Sequence, residues 1–272
     1  MTITTADELI KGILAAGPPV FVSKGVSPNR TFLKMYSAWR VPGVPSAGSL
    51  TAGVMYDGTS GPVEGQIPFR YPSDGIKKCY LARALFGGTQ TGQTTLLVDR
   101  IYSHNVAFNA TTLTAISHGA FPPRDDIASS DGIGYLVGAE VHTAVGGAAP
   151  TITVGYTNSD GVAGRIGTNL HPTVNSALIG SFYPISLQGA DKGVRALNTV
   201  QLSTSWLQGG FALVVYRVLA TFPAGSSGGP SEVNMVTGGM PELHQGTVPF
   251  LLDMGIGGAA NTITGFIQYA HG

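Results

Sequence analysis

The sequence predicts an all-β protein: a jelly-roll-like β-sandwich with an extended N-terminal arm that includes one short helix, and a Gly/Pro-rich C-terminal tail. Residues 151–157 alternate between polar and apolar side chains, which is typical of a strand buried on one face. Residues 158–161 read Asn-Ser-Asp-Gly and predict a tight turn that returns the chain as a hairpin over 162–168. Turn signals rather than helical crossovers separate the strand-like segments, so a parallel α/β sheet is not expected.

The one well-specified helix lies near the N-terminus. Thr5 and Glu8 have the spacing of a capping box, in which Thr5 accepts from the amide of Glu8 and Glu8 reaches back. The apolar residues that follow at helical spacing are Leu9, Ile10, Ile13 and Leu14. Gly17 and the two prolines after it end the helix. A helix of about eleven residues is marginal in isolation, so we expect it to dock on another surface.

The segment after the helix has the composition of an extended arm. Residues 18–75 are rich in Pro, Gly and Ser, and 41–45 read Val-Pro-Gly-Val-Pro, which cannot lie inside a sheet because proline lacks a ladder donor. The segment is nevertheless too apolar to remain in water. We therefore divide the chain into an N-terminal helix and arm (1–89), a β-sandwich core (90–222) and a C-terminal tail (223–272).

The predicted strands are spaced as in a sandwich. They cover residues 96–102, 135–143, 151–157, 162–168, 179–187, 194–203 and 211–221, with one more at 263–269 in the tail.

Charge is scarce and balanced. Only 11% of the 272 residues are Asp, Glu, Lys or Arg, against about 25% in an average soluble domain, and fifteen basic residues match fifteen acidic ones. A chain with so few charges is expected to hide surface against copies of itself or a partner, and we favour a homo-oligomer, specifically a trimer. The basic cluster Lys77-Lys78 is too small to bind nucleic acid, and no apolar run is long enough to span a bilayer. Neither a nucleic acid nor a membrane is therefore predicted as a partner.

One short motif raises the possibility of an enzyme. Residues 225–230 read Gly-Ser-Ser-Gly-Gly-Pro and resemble the Gly-Asp-Ser-Gly-Gly-Pro loop around the nucleophile of trypsin-like serine proteases, with Ser227 at the nucleophile's position. The motif departs from that family at Ser226, and no histidine has the Ala-Ala-His-Cys context of the family's base. A Gly/Ser-rich loop is the favoured interpretation, and the chain is predicted to be non-enzymatic.

A second cluster raises the possibility of a cation or carbohydrate site. Asp125, Asp126 and Asp131 lie close together, although not at EF-hand spacing. A polar loop in which Arg124 pairs with one aspartate is favoured. The histidines form no metal-binding pair, and no phosphate-binding loop occurs, so no metal or cofactor is predicted. Cys79 is expected to be a buried small apolar side chain.

Five residues are candidates for an interface. Phe32, Tyr36 and Trp39 are apolar side chains of the arm, and aromatic residues dominate interface energetics. Arg100 lies within an apolar strand. Its position is consistent with three roles: a member of a buried salt bridge, an interface contact or an edge residue. Arg165 follows the Asn-Ser-Asp-Gly turn and is the fifth candidate.

Several segments resemble the strand-and-turn patterns of tailed-bacteriophage structural proteins: residues 35–40, 97–101, 140–143, 151–165 and 188–195. Among these proteins, the size and all-β character are similar to capsid decoration (cement) proteins. That resemblance implies a jelly-roll-like oligomer assembled in the host cytoplasm, which binds the major capsid protein on the virion's outer shell and clamps neighbouring capsomers. A tail-tube, baseplate or head–tail connector protein is the alternative. A serine hydrolase or a carbohydrate-binding module is the second alternative.

Overall fold

The computed structural model describes residues 3–27, 34–49, 53–89, 92–125, 127–223, 229–234, 239, 241–255 and 261–272. Its helix is α1 (Ala6–Ala16). Its strands are β1 (Val20–Ser27), β2 (Lys34–Ser37), β3 (Gly43–Val44), β4 (Val54–Met55), β5 (Cys79–Gly88), β6 (Thr94–Ala107), β7 (Thr114–Ala115), β8 (Tyr135–Thr143), β9 (Ile152–Asn158), β10 (Arg165–Asn169), β11 (Ser181–Ser186), β12 (Val194–Leu202), β13 (Gly210–Pro223), β14 (Ser231–Asn234), β15 (Glu242–Leu243), β16 (Pro249–Gly255) and β17 (Asn261–His271).

Helix α1 begins with the predicted capping box. The Thr5 side chain accepts from the Glu8 amide at 3.2 Å, and the Glu8 carboxylate accepts from the Thr5 amide at 3.0 Å. The helix packs on β17 through Gly12, where a Cβ atom would lie 2.7 Å from the His271 carbonyl oxygen. The side chains of Ile10 and Leu14 stay exposed. The predicted docking surface is thus the chain's own last strand.

The described strands form two antiparallel sheets. The smaller sheet has the order β14-β5-β17-β1-β3, with β15 also paired to β5. The larger sheet has the order β2-β16-β6-β13-β8-β11-β10-β9-β12-β7, with β4 also paired to β6. The predicted all-β sandwich is confirmed.

Part of the larger sheet closes into a ring. Strand β2 pairs with β16 on one side and with β11 on the other, so β2, β16, β6, β13, β8 and β11 follow one another around a closed circuit. Strands β10, β9, β12 and β7 continue from β11 as an extension outside the ring. Closure leaves the six ring strands without a free edge between them, which removes the unpaired amides that an open sheet exposes.

The predicted hairpin is the β9–β10 unit of this extension. Asn158 accepts from the Val162 amide through its side chain at 2.8 Å, and Gly161 has a φ of 80°, a conformation that favours glycine. Arg165 and Ile166 then pair with Tyr156 and Gly155. The predicted strands at 179–187, 194–203 and 211–221 correspond to β11, β12 and β13.

Three apolar clusters hold the layers together. The smaller sheet packs on the outside of the ring, where Phe86 and Ile267 share a cluster with Leu97 and Leu251. The extension packs on another part of the ring, where its buried side chains join Val137 and others from the ring strands. The third cluster contains alternate residues of the ring strands and Trp39, and it fills the interior of the ring.

Neither end of the chain is an arm or a tail. Strands β1 and β5, from the predicted arm, flank β17, from the predicted tail, and β2 closes the ring against β16. The interpretation of 1–89 and 223–272 as peripheral is therefore corrected: loops interrupt their strands, but β1, β5 and β17 are 8, 10 and 11 residues long and pair with partners far along the chain. Pro42 and Pro45 flank the edge strand β3, as the missing proline donors require.

A buried lysine organises the proline segment. The Lys24 ammonium donates to the carbonyl oxygens of Val41 (3.3 Å), Pro45 (2.9 Å) and Ser46 (3.1 Å). Burial lowers the pKa of Lys24 to about 8. Because Pro42 and Pro45 have no amide donor, the segment is held in place through its carbonyl oxygens.

Trp39→Ala should destabilise the fold by about 3–5 kcal/mol, because the indole is fully buried in the ring interior and its removal leaves a cavity. Ile76→Ala is the matched control: that side chain is 73% exposed, and a change within about 0.5 kcal/mol is expected. Urea unfolding measures both. A variant lacking residues 1–40 that still unfolds cooperatively would contradict this placement.

Candidate functional site

The centre of the ring holds a buried ion pair between Arg100 on β6 and Glu140 on β8. The guanidinium Nη2 lies 2.8 Å from the carboxylate Oε2, and neither side chain is exposed to solvent. Burial alone would lower the pKa of Arg100, but the Glu140 carboxylate outweighs it and the net shift is upward. The arginine therefore stays charged inside the ring.

Aromatic rings surround the same guanidinium. Its central carbon lies 4.7 Å from the centroid of Trp39, 5.0 Å from that of Tyr56 and 5.4 Å from that of Phe250. Trp39 meets both Tyr56 and Phe250 edge-to-face, with centroids 5.5 and 5.6 Å apart. Cation–π attraction is strongest where the cation is desolvated, as here. Arg100 is committed to contacts within the chain, and the arrangement is structural.

A second buried pair lies beside the first. Arg124 Nη1 is 3.6 Å from Asp99 Oδ1, which accepts from the Val248 amide at 2.8 Å. Arg124 Nη2 also donates to the carbonyl oxygen of Tyr56 at 2.7 Å. These contacts join the loop that contains Arg124 to β6 and to the segment before β16.

The carboxylates around Asp125 organise their own loop. Asp125 accepts hydrogen bonds from the Ser129 hydroxyl at 2.7 Å and from the Gly132 amide at 3.0 Å, with further amides at Ile127, Ser129 and Ile133. Burial raises the pKa of Asp125, but these hydrogen bonds outweigh it and the net shift is downward. Asp131 lies 3.3 Å from the Arg195 guanidinium, and Asp126 lies outside the described residues. Both described carboxylates are engaged within the chain.

The predicted partner of Arg124 is corrected by this geometry. Arg124 pairs with Asp99 on β6 rather than with an aspartate of its own loop. Among the residues that the structure describes, no group of three or more His, Cys, Asp or Glu side chains could hold a metal ion.

Arg165 belongs to a polar network at the end of the β9–β10 hairpin. Its guanidinium reaches both oxygens of Asp191, at 2.8 and 3.0 Å. Asp191 also accepts from the Tyr156 hydroxyl at 2.7 Å and from the Asn158 amide group at 2.8 Å. The Arg165 hydrogen bonds are the largest cause that lowers the pKa of Asp191, to about 2. The network fixes the hairpin to the loop before β12.

The five candidate interface residues separate in the structure. Tyr36, Trp39 and Arg100 are buried by the chain's own atoms, so their assignment to an interface is corrected, and Arg100 is a member of a buried salt bridge. Arg165 is partly exposed and paired with Asp191. Phe32 lies outside the described residues. Alternation along β6, which places Val98 and Arg100 on one face, is the signal that could have placed Arg100 in the interior.

Cys79 is fully buried, as expected, and burial raises the pKa of its thiol to about 12. Ser226 and Ser227 lie outside the described residues. Within the described part of the chain, no helix is long and apolar enough to cross a membrane.

Large apolar side chains are exposed at many places on the described surface. They are Ile10, Leu14, Phe21, Val44, Ile76, Leu113, Ile127, Val162, Ile166, Leu170, Leu178, Ile179 and Leu207. Single exposed apolar residues are normal, but groups of them indicate contact surfaces.

Comparison with known proteins gives little. No family model matches the chain, and no curated protein matches its sequence. Among solved structures, it is similar to the infectious bursal disease virus VP2 subviral particle with a TM-score of 0.18 and 10% identity, over 93% of this chain and 79% of that chain. For the Gx strain of that virus the TM-score is 0.18 and the identity 14%, over 93% and 64%. A TM-score of 0.18 is too low to indicate a shared fold.

Glu140→Leu should destabilise the fold by about 3–5 kcal/mol, because it leaves the buried Arg100 charge without its partner. The double variant Arg100→Met/Glu140→Leu should cost less than the sum of its single variants, since no unpaired charge remains. Denaturant unfolding of the wild type, the two single variants and the double variant gives the double-mutant cycle. Lys78→Gln, at an exposed pair with Glu242, is the control and should change stability by less than about 1 kcal/mol. Additive effects of Arg100→Met and Glu140→Leu would show that the two groups do not interact.

The stabilising contribution of Asp191 should depend on acidity. The pKa of its carboxyl falls from 3.8 to about 2 on folding, so the contribution is complete above the unfolded value and is lost as the pH falls through about 2. The difference in unfolding free energy between the wild type and Asp191→Asn should therefore be constant near neutrality and shrink on acidification below about pH 4. Thermal unfolding across this range measures it. A difference that stays constant down to about pH 2 would contradict the proposed shift.

Proposed function

We propose that this chain is a non-enzymatic structural component of a bacteriophage particle: a capsid decoration protein that forms homo-oligomers, binds the major capsid protein on the outer shell and clamps neighbouring capsomers. The observation that carries the proposal is a surface with few charges and many exposed apolar side chains. Obligate interfaces are larger and more apolar than transient ones. Such a surface is typical of a protein that is permanently associated with other subunits.

Several of the charges that the surface carries are paired with a neighbour of opposite sign. Exposed ion pairs join Lys78 to Glu242, Arg83 to Glu232 and Arg195 to Asp131. A surface of this kind has no extended field of one sign, so it neither steers nor holds a strongly charged partner. This supports a role in apolar, shape-dependent assembly rather than in binding nucleic acid.

Several ionisable groups of the described residues are engaged in contacts within the chain. Arg100 and Glu140 neutralise each other, Asp125 is saturated by its own loop, and the Cys79 thiol is buried. A catalytic group needs access to a substrate and a partner that activates it. The placement of these residues supports a structural role.

An antibody against the recombinant chain, coupled to gold, tests the location on density-gradient-purified phage particles. Labelling distributed over the head supports a decoration protein. Labelling restricted to the tail, baseplate or neck would replace it with a tail or connector protein, and unlabelled particles would contradict a place on the virion surface.

Bound protein should remain on its particle in about 1 M salt, where the Debye length is only about 3 Å and charge–charge attraction is screened. It should leave in denaturant, because apolar contacts and strand pairing are then lost. Pelleting of washed particles followed by gel electrophoresis measures retention, with Lys78→Gln as a control that should bind as well as the wild type. Release by moderate salt would contradict this prediction and indicate contact through the charged clusters Lys77-Lys78 and 125–131.

A further inference from the structure

Three loops lie side by side at one end of the ring: residues 143–147, 176–180 and 205–209. We refer to them together as the loop end. The loop of residues 143–147 is joined to the other two by backbone hydrogen bonds, from Val145 N to the Ala177 oxygen (3.1 Å), Ser176 N to the Gly146 oxygen (2.7 Å) and Gly146 N to the Trp206 oxygen (2.9 Å). The loops therefore form one continuous surface rather than three independent connections.

Leu207 stands at this end in an unfavourable conformation. Its φ is 70°, in the left-handed region that a bulky residue rarely adopts, and its side chain is 67% exposed. Trp206, directly before it, is fully buried among Tyr183 and Phe211 and anchors the turn. The Leu207 amide also donates to the Ser205 hydroxyl at 3.0 Å. The fold thus holds a large apolar side chain in solvent at a conformational cost.

The neighbouring loop repeats both features. Leu178 and Ile179 are 39% and 44% exposed, and Ser176 has a φ of 54°. Backbone strain at exposed positions persists only where the surrounding structure enforces it, and it is concentrated at functional surfaces. Two strained residues and three exposed apolar side chains coincide at the loop end.

The loop end is built from segments without formal charge. No Asp, Glu, Lys or Arg occurs within residues 141–159, 166–190 or 196–216, which contain all three loops. A partner with a strongly charged surface would lose solvation against this face without gaining an ion pair. A second copy of these three loops brings no Asp, Glu, Lys or Arg and meets no like-charge repulsion from them.

We infer that the loop end is the surface through which copies of this chain bind one another, with Leu207 as the apolar anchor. This rests on the proposed function, because it names the contact that builds the homo-oligomer. A copy of this chain is the occupant that the charge pattern favours: the contact is neutral on both sides, and every copy supplies the same exposed leucines and isoleucine. Aliphatic anchors that become buried on association provide the affinity.

Leu207→Gly separates anchoring from folding. Glycine adopts a positive φ without strain, so the melting temperature should be unchanged or higher. Loss of the side chain from the contact should weaken self-association about ten- to a hundred-fold. Sedimentation equilibrium of the full chain over a concentration series measures association, and thermal unfolding at a concentration where both proteins are monomeric measures stability.

A second variant and a control complete the test. Ile179→Lys adds a charge to the loop end and should also weaken association, whereas Ile76→Lys, at an exposed apolar position elsewhere, should not. An oligomeric wild type whose mass is unchanged by both loop-end variants, or equally reduced by Ile76→Lys, overturns this inference and leaves the proposed function standing. A wild type that is monomeric at micromolar concentration overturns the homo-oligomer of the proposed function itself.

Discussion

The ion pair between Arg100 and Glu140 is the constraint around which the ring is arranged. The two residues lie on strands that are separated by β13, so the pair spans the interior rather than joining neighbours. A shift of one residue in the register of either strand would turn its charged side chain toward an apolar cluster outside the ring. An unpaired buried charge is far more costly than a mispacked apolar group. The pair therefore specifies register as much as it stabilises the native state.

The outer layers depend on the ring because its strands have two buried faces. Along β6, Val98 and Arg100 point inward, whereas Leu97 and Ile101 belong to the clusters shared with the small sheet and with the extension. Strands buried on both faces appear in sequence as nearly continuous apolar runs.

The features that the sequence predicted correctly are local ones: the capping box at Thr5 and Glu8, the turn at Asn158 to Gly161, and the strands of the central region. The features that it did not predict depend on distant pairing. The sequence predicts that Trp39 is an interface anchor because it is an aromatic residue of a proline-rich segment, whereas the pairing of β2 with β16 places it in the ring interior. The partner of Arg100 is forty residues away, from 100 to 140, and no spacing rule identifies it.

The position of β17 has a consequence for how the chain reaches its native state. This strand lies between β1 and β5 in the small sheet, so two segments synthesised early have no direct pairing with each other and must wait for a late one. Loop closure over such separations is slow, and folding rates fall as contacts become less local. During synthesis, β1 and β5 have unpaired edges that can bind other chains. We therefore expect incomplete chains that lack β17 to aggregate more readily than the complete fold.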